Sequence, residues 1–225
     1  MLVADWMSRP AITVDMNDSM ENAIKVLKAH QVSMLPVLKN GQLVGVLTKR
    51  ELDKWPTFDT SIDGNYENHS LFSSVKVDEI MVDDPVAIPS NYTVDEVAMV
   101  FLKHKVSEAT VLNEEDNVVG VITKTDVFRI ITSLTGAGRG GIQFGFEVRD
   151  RPGSIKVLTD TIREYGGRMA SILTSYDMAS DGFRRAYIRM YNIDRFKLLS
   201  LKEKLKNMAT LLYMVEHPEI IIKGS

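Results

Sequence analysis

The chain contains no cysteine. That removes disulfides, thiolate metal sites and cysteine nucleophiles together, and it fits a reducing compartment. Excess charge is also missing: 27 Lys and Arg stand against 30 Asp and Glu, a net charge of −3. The basic footprint of a nucleic-acid binder is therefore absent. No apolar stretch approaches membrane-spanning length, and the opening residues, Met1 to Trp6, lack a basic stretch leading into an apolar run. No membrane partner is expected, and the chain is read as cytoplasmic. Histidine is scarce, at four, and shows no metal-ligand spacing such as H-x-x-E-H, so neither a metal nor a cofactor is expected. No nucleophile with a base at its side stands out, which points away from catalysis.

What the chain does have is 44% hydrophobic content over 225 residues, enough for two compact domains. It also has an internal repeat. Met7 and Met81 are 74 apart, and Ser19 to Leu38 keeps that offset against Thr93 to Leu112. After a one-residue insertion the offset becomes 75, placing Gly45-Val46-Leu47-Thr48-Lys49 on Gly120-Val121-Ile122-Thr123-Lys124. Each copy begins with a short apolar extended piece, Ala11 to Val14 or Val86 to Ile88. A helix cap follows, Ser19 or Thr93, and Thr93 with Glu96 has the spacing of a capping box. Met20, Ala23, Ile24 and Leu27, and in the second copy Val94, Val97, Ala98 and Phe101, then recur at helical spacing. Two short strands separated by a polar turn come next, Leu35 to Leu38 with Leu43 to Leu47 and Ala109 to Leu112 with Val118 to Ile122, and a second helix closes each unit.

Residues 1–70 are thus the first repeat with a polar insertion, Pro56 to Ser74, read as an irregular surface connection, and residues 71–135 are the second repeat. The glycine-dense run 136–141 reads as a flexible hinge. From 142 to 225 the pattern is strand, helix, strand, strand, helix, strand: Ile142 to Val148, a helix lined by Ile155, Leu158 and Ile162 and ended by Gly166-Gly167, a strand around Ile172, Phe183 to Tyr191, Lys197 to Asn207, and Leu211 to Val215. The fold class is α+β, the C-terminal part a βαββαβ ferredoxin-like sandwich with its helices on one face of an antiparallel sheet. Arg163, Arg168, Arg184, Arg185 and Arg189 read as solvated faces. His30 and His104, at equivalent repeat positions, suit the negative end of a helix dipole.

The Gly-apolar-apolar-Thr-Lys-x-acid ending of each repeat resembles the CBS domain, a βαββα-type module that occurs in pairs binding AMP, ATP, S-adenosylmethionine or related adenosyl ligands. Asp150-Arg151-Pro152-Gly153 at the first strand-to-helix turn of the last domain resembles the ACT domain, a regulatory module that often pairs with itself and often binds amino acids. A CBS pair followed by an ACT domain is similar to the AcuB-type acetoin-utilisation family.

The resemblance implies a non-catalytic ligand sensor that assembles as a homodimer or higher even oligomer. It implies that Asp126 reads the ribose diol of the adenosyl ligand, that Thr123 bonds ribose or α-phosphate, and that Lys124 helps to hold phosphate charge. It draws the wall of that pocket from Ala11, Ile12, Thr13, Leu35 and Pro36 of the other repeat. A second pocket, at Thr48, Glu51, Ala87 and Ile88, is expected to be weaker or empty, since Glu51 replaces the aspartate and Glu108 adds an anion. Asp150, Arg151, Pro152 and Gly153 are the candidate amino-acid site, with helix N–H groups for a carboxylate and Asp150 for an ammonium. The alternatives are that Thr123 and Asp126 only cap a helix, and that the whole chain is a structural dimerisation module with degenerate pockets.

Overall fold

The structure is a computed structural model and describes residues 1–55 and 72–216. The chain divides into two compact units, Met1–Phe128 and Arg129–Ser225. Most of the expected polar connection, residues 56–71, lies outside the described residues, whereas residues 72–74 are helical and Phe72 is buried in the first repeat's core.

In the first repeat, β1 (Val14–Asp15) leads to α1 (Met20–His30), then β2 (Met34–Lys39), β3 (Gln42–Thr48) and a single turn of helix, α2 (Lys49–Leu52). The second repeats the order with β5 (Ala87–Pro89), α3 (Val94–His104), β6 (Glu108–Leu112), β7 (Val118–Thr123) and α4 (Lys124–Leu134), and β4 (Val82–Asp83) stands between the two. The caps are those that the sequence indicated. Ser19 Oγ accepts from Asn22 N at 3.2 Å, and Thr93 N donates to Glu96 Oε2 at 2.7 Å within a complete capping box. The predicted apolar faces of α1 and α3 are buried, except that Ala98 is only half-buried. His30 and His104 sit exposed in the last turn of each helix. In both copies the first strand runs parallel to the second and the second antiparallel to the third, and the bulge that follows Val37 in β2 recurs after Val111 in β6.

The residues that precede each repeat do not pack on it. Val3 N donates to Tyr92 O at 2.8 Å, and Val77 N, 74 residues on, donates to Asp18 O at 2.9 Å. Val94 N donates to Met1 O, and Met20 N donates to Val75 O. Val82 and Asp83 add an antiparallel fourth strand beside β3, while Ser8 bridges to Val121 of β7. Val75, Val77 and Ile80 consequently belong to the first repeat's core, together with Leu35, Leu47 and Leu52, and Trp55 packs at its edge. The two leaders are exchanged between the repeats.

Glycine permits the exchange. A Cβ on Gly45 would stand 2.6 Å from Met81 Sδ and 2.9 Å from Val82 O; on Gly120 it would stand 2.6 Å from Met7 Sδ and 2.8 Å from Ser8 O. The sulfurs can swing aside, but the carbonyls are held in the strand pairing.

In the C-terminal unit, β8 (Ile142–Arg149), α5 (Ser154–Glu164), β9 (Arg168–Ser175), β10 (Phe183–Tyr191), α6 (Arg195–Lys206) and β11 (Thr210–Glu216) form an antiparallel sheet of order β11-β8-β10-β9. This is the βαββαβ arrangement expected from the sequence. Phe144, Phe146, Leu158, Ile162, Ile188, Met190, Leu201 and Leu205 fill the space between sheet and helices.

Two expectations fail here. The glycine run is not a free hinge: a Cβ on Gly136 would lie 2.8 Å from Ala170 Cβ, and one on Gly141 would lie 2.2 Å from Met190 O, so these glycines allow a close approach to the sheet. Arg184, Arg185 and Arg189 are not simple solvated faces either. All three are half-buried, and Arg189 donates from Nε to Thr135 O at 2.9 Å and from Nη2 to Gln143 Oε1 at 3.0 Å.

The exchange of leaders carries a testable consequence. Gly120→Ala should destabilise the N-terminal unit by about 1–3 kcal/mol, the usual range for overpacking, and should do so more than Gly41→Ala, whose added Cβ meets nothing within 4 Å and is strained only by its φ of +84°. Denaturant unfolding of both variants checks the ranking.

Candidate functional site

β7 ends at Thr123 and α4 begins at once, so the first turn of α4 needs a cap. Thr123 and Asp126 supply it reciprocally. Thr123 N and Oγ1 donate to Asp126 Oδ2 at 2.9 and 2.8 Å, and Asp126 N donates to Thr123 Oγ1 at 3.2 Å. Asp126 is 5% exposed. The first repeat keeps only part of this corner: Thr48 Oγ1 donates to Glu51 Oε2 and Glu51 is likewise buried, but the Thr48 side chain makes no cap bond to the helix.

A cleft of about 210 Å³ opens beside Asp126. The exchanged leader supplies Ser8, Pro10, Ala11 and Ile12, the turn from α1 into β2 supplies Gln31 to Met34, and Glu108, Val121, Thr123 and Thr125 complete the lining with Asp126. A second cleft, of about 410 Å³, lies beside Glu51 and is lined by Val82, Asp84 to Val86, Lys105 to Glu108, Met34, Val46, Thr48, Arg50 and Glu51. Each lining residue of one cleft has its counterpart in the other at the repeat offset of 74 or 75. Met34 and Glu108, themselves counterparts, line both.

The structure brings Ala11, Ile12, Thr123 and Asp126 to one cleft, and Thr48 and Glu51 to the other. Thr13, Leu35, Pro36 and Lys124 do not line the first. Leu35 is fully buried in the core, Pro36 is buried at the centre of β2 opposite Val46, and Lys124 is exposed. Ala87 and Ile88 do not line the second; they are already in β5, and Ile88 is 1% exposed. Pro85 and Val86 stand there instead, and carrying Ala11 and Ile12 forward by the 74-residue offset gives these two positions. The α-to-β turns, Gln31 to Ser33 and Lys105 to Ser107, were missed altogether. Their signal is a helix ended by a non-glycine residue in the left-handed region, Gln31 at φ 53° and Lys105 at φ 55°, which sequence patterning does not reveal.

Glu108 was expected to trouble only the second cleft, yet it faces both. Ser33 Oγ donates to its Oε2 at 2.5 Å. Burial pushes the Glu108 carboxyl above the ordinary range; the Ser33 bond works against this, Glu51 adds to it, and Lys49 offsets it weakly.

In the C-terminal unit the candidate loop is exposed from Asp150 to Gly153, with Gly153 at φ 84° preceding α5. The Asp150 carboxylate already faces a cation, since Arg184 Nε lies 3.5 Å from its Oδ1. An incoming ammonium would have to compete with that guanidinium. Among the described residues no group of His, Cys, Asp or Glu is arranged to hold a metal, and no helix is long and apolar enough to cross a membrane.

Residues 3–56 and 77–133 match the model of the CBS domain. The chain carries a tandem pair of CBS domains. It is 31% identical over 122 residues to inosine-5′-monophosphate dehydrogenase of Korarchaeum cryptofilum (strain OPF8), covering 53% of this chain and 22% of that protein. Over 131 residues it is 30% identical to L-aspartate semialdehyde sulfurtransferase of Methanocaldococcus jannaschii, covering 57% and 23% respectively. It thus spans less than a quarter of either curated relative. Among solved structures, the CBS domain pair of protein MJ0100 in complex with 5′-methylthioadenosine and S-adenosyl-L-methionine is 28% identical, covering 58% of this chain and 95% of that one with a TM-score of 0.48.

Burial of Glu108 sets a prediction with a definite sign. A carboxyl whose pKa is raised in the folded state costs stability once it ionises, so stability is lost as pH rises through the folded value. Glu108→Gln should therefore raise Tm near pH 7, and the gain should shrink as pH falls toward about 4, where both folded and unfolded carboxyls hold their proton. Thermal melts of the two proteins across that range test it.

Proposed function

We propose that the chain is a non-catalytic regulatory protein whose CBS pair senses an adenosyl ligand, AMP, ATP or S-adenosylmethionine, in the cleft at Asp126. The observation that carries this reading is the matched pair of clefts, each combining a threonine and a carboxylate at a helix start with a wall from the exchanged leader. A carboxylate there can accept from both hydroxyls of a ribose, a charge-assisted pairing that a merely capping aspartate does not need. The Glu51 cleft is the weaker adenosyl site. Glu51 and Glu108 interact through space across it, and either would oppose an anionic ligand.

The C-terminal unit is assigned, within the same proposal, as an ACT-type domain for self-association and amino-acid capture, giving the domain order of the AcuB-type family in a cytoplasmic protein. Its α6 presents Phe196 at 97% and Leu199 at 74% exposure, apolar area that a second copy would cover. The rival is a structural module with degenerate clefts, favoured by the fact that Asp126 already caps α4.

Calorimetric titration decides between them. For whichever of AMP, ATP and S-adenosylmethionine binds the wild type most tightly, Asp126→Ala should weaken binding by one to several powers of ten, at roughly 1.5–3 kcal/mol for each charge-assisted bond. Glu51→Ala should change it little, with circular dichroism confirming that both variants fold. Absence of heat with all three ligands supports the rival, and the reverse pattern between the two variants overturns the choice of cleft. Sedimentation at micromolar concentration should show a dimer or higher even oligomer, and a monomer would remove the self-association role.

A further inference from the structure

Glu108 is one carboxylate in the wall of two clefts. Met34, its counterpart at the 74-residue offset, lines both clefts as well. The repeat thus brings two equivalent positions to the partition between the clefts, and places an apolar side chain at one and an ionisable side chain at the other. Ser33, which lines the Asp126 cleft, donates to Glu108 Oε2 at 2.5 Å. Among the described residues, the charged groups that share a cleft with Glu108 or act on it through space are Asp126 in the first cleft, Glu51, Arg50, Asp84 and Lys105 in the second, and Lys49 on α2. From this placement we infer that Glu108 couples the two clefts: an anionic ligand in either one draws a proton onto the shared carboxylate, and the same proton eases the entry of an anion into the other.

This deepens the adenosyl reading above, naming a regulation of the same site, and rests on it. Glu108 is poised for the exchange, because burial works against its charge; the Ser33 bond favours the charged form, Glu51 opposes it and Lys49 favours it weakly. Clefts of about 210 and 410 Å³ are small, so a phosphate brought into either lies within Coulomb reach of their common wall. In such partly desolvated surroundings the repulsion is several-fold stronger than in bulk water. The first anion bears the cost of protonating Glu108. The second finds the carboxyl neutral and, in that form, able to donate a hydrogen bond. One proton therefore serves two ligands, and the second binds more tightly than it does alone. The coupling has a pH window with two edges. Below the carboxyl's pKa in the empty protein the proton is already in place, and above its pKa in the doubly filled protein the proton does not arrive, so coupling is greatest between the two and fades on either side.

The test uses the full chain, with AMP as the anionic probe, in calorimetric titrations between about pH 5 and pH 8. Buffers of differing ionisation enthalpy report the protons taken up, and Glu108→Gln, which holds the neutral form permanently, is the reference. The phosphate's own proton and the direct repulsion between two ligands are common to both proteins and cancel in the comparison. Wild type should bind two AMP per chain at saturation and take up more protons than Glu108→Gln. Its second step, relative to its first, should be on the order of tenfold tighter than the same ratio in the variant, within one pH window only. Ser33→Ala removes a bond to the charged form and should move that window to higher pH. Circular dichroism confirms that both variants fold. If AMP binds with the same proton uptake and the same ratio of steps in wild type and Glu108→Gln, or if only one AMP enters each chain, the coupling is overturned while the adenosyl reading stands. If AMP does not bind, the coupling falls, and if S-adenosylmethionine gives no heat either, the adenosyl reading falls with it.

Discussion

Each repeat's sheet is finished by residues that belong in sequence to the other repeat. Val82 and Asp83 pair with β3, Ser8 bridges to β7, and Val3 and Val77 are fully buried on the copies that they do not precede. The approach is close enough that only glycine fits at positions 45 and 120. Removing one leader would leave a strand edge unpaired and open a core at the same time, so neither repeat is a complete folding unit by itself. The insertion-free offset of 74 from Val3 to Leu38 has a physical reason: the leaders and first helices must fit reciprocally, and a change of length in one copy would break a contact in the other.

The position of the clefts follows from this exchange. A leader arriving from the opposite repeat passes the strand-to-helix corner at Thr123 or Thr48, and the space between them is lined by both copies. The corner needs a polar cap for helix reasons alone, and that cap places a buried carboxylate at the cleft wall. In the proposed adenosyl site, stability and recognition thus draw on the same side chain, and loss of Asp126 would touch both. Glu108 is different. It faces both clefts, its burial is unfavourable to its charge, and no helix end depends on it.

Much of this could be read in the residues themselves. The repeat offset, the Ser19 and Thr93 caps, the helix faces and the succession of strands and helices in the C-terminal unit all follow from local sequence patterns. What periodicity does not report is which buried residues also reach a cleft. Met34, Leu35, Pro36 and Val37 are all buried, since β2 is covered on both faces, and only Met34 of the four lines a cleft. Ala87 and Ile88 look like wall residues for the same reason, but the 74-residue offset from Ala11 and Ile12 leads to Pro85 and Val86. The glycine-dense run 136–141 was misleading because composition signals backbone freedom, whereas Gly136 and Gly141 use that freedom for close packing.

The division of the chain near Phe128 has a spectroscopic side. Both tryptophans, Trp6 and Trp55, belong to the N-terminal unit, one within the exchanged leader and the other at the edge of the first repeat's core. The C-terminal unit has tyrosine as its only strong ultraviolet chromophore, with Tyr187 and Tyr213 stacked at 6.4 Å on the open face of its sheet. Light that excites indole alone therefore sees the CBS pair without its companion, and the intact polypeptide carries a built-in means of telling the melting of one half from that of the other.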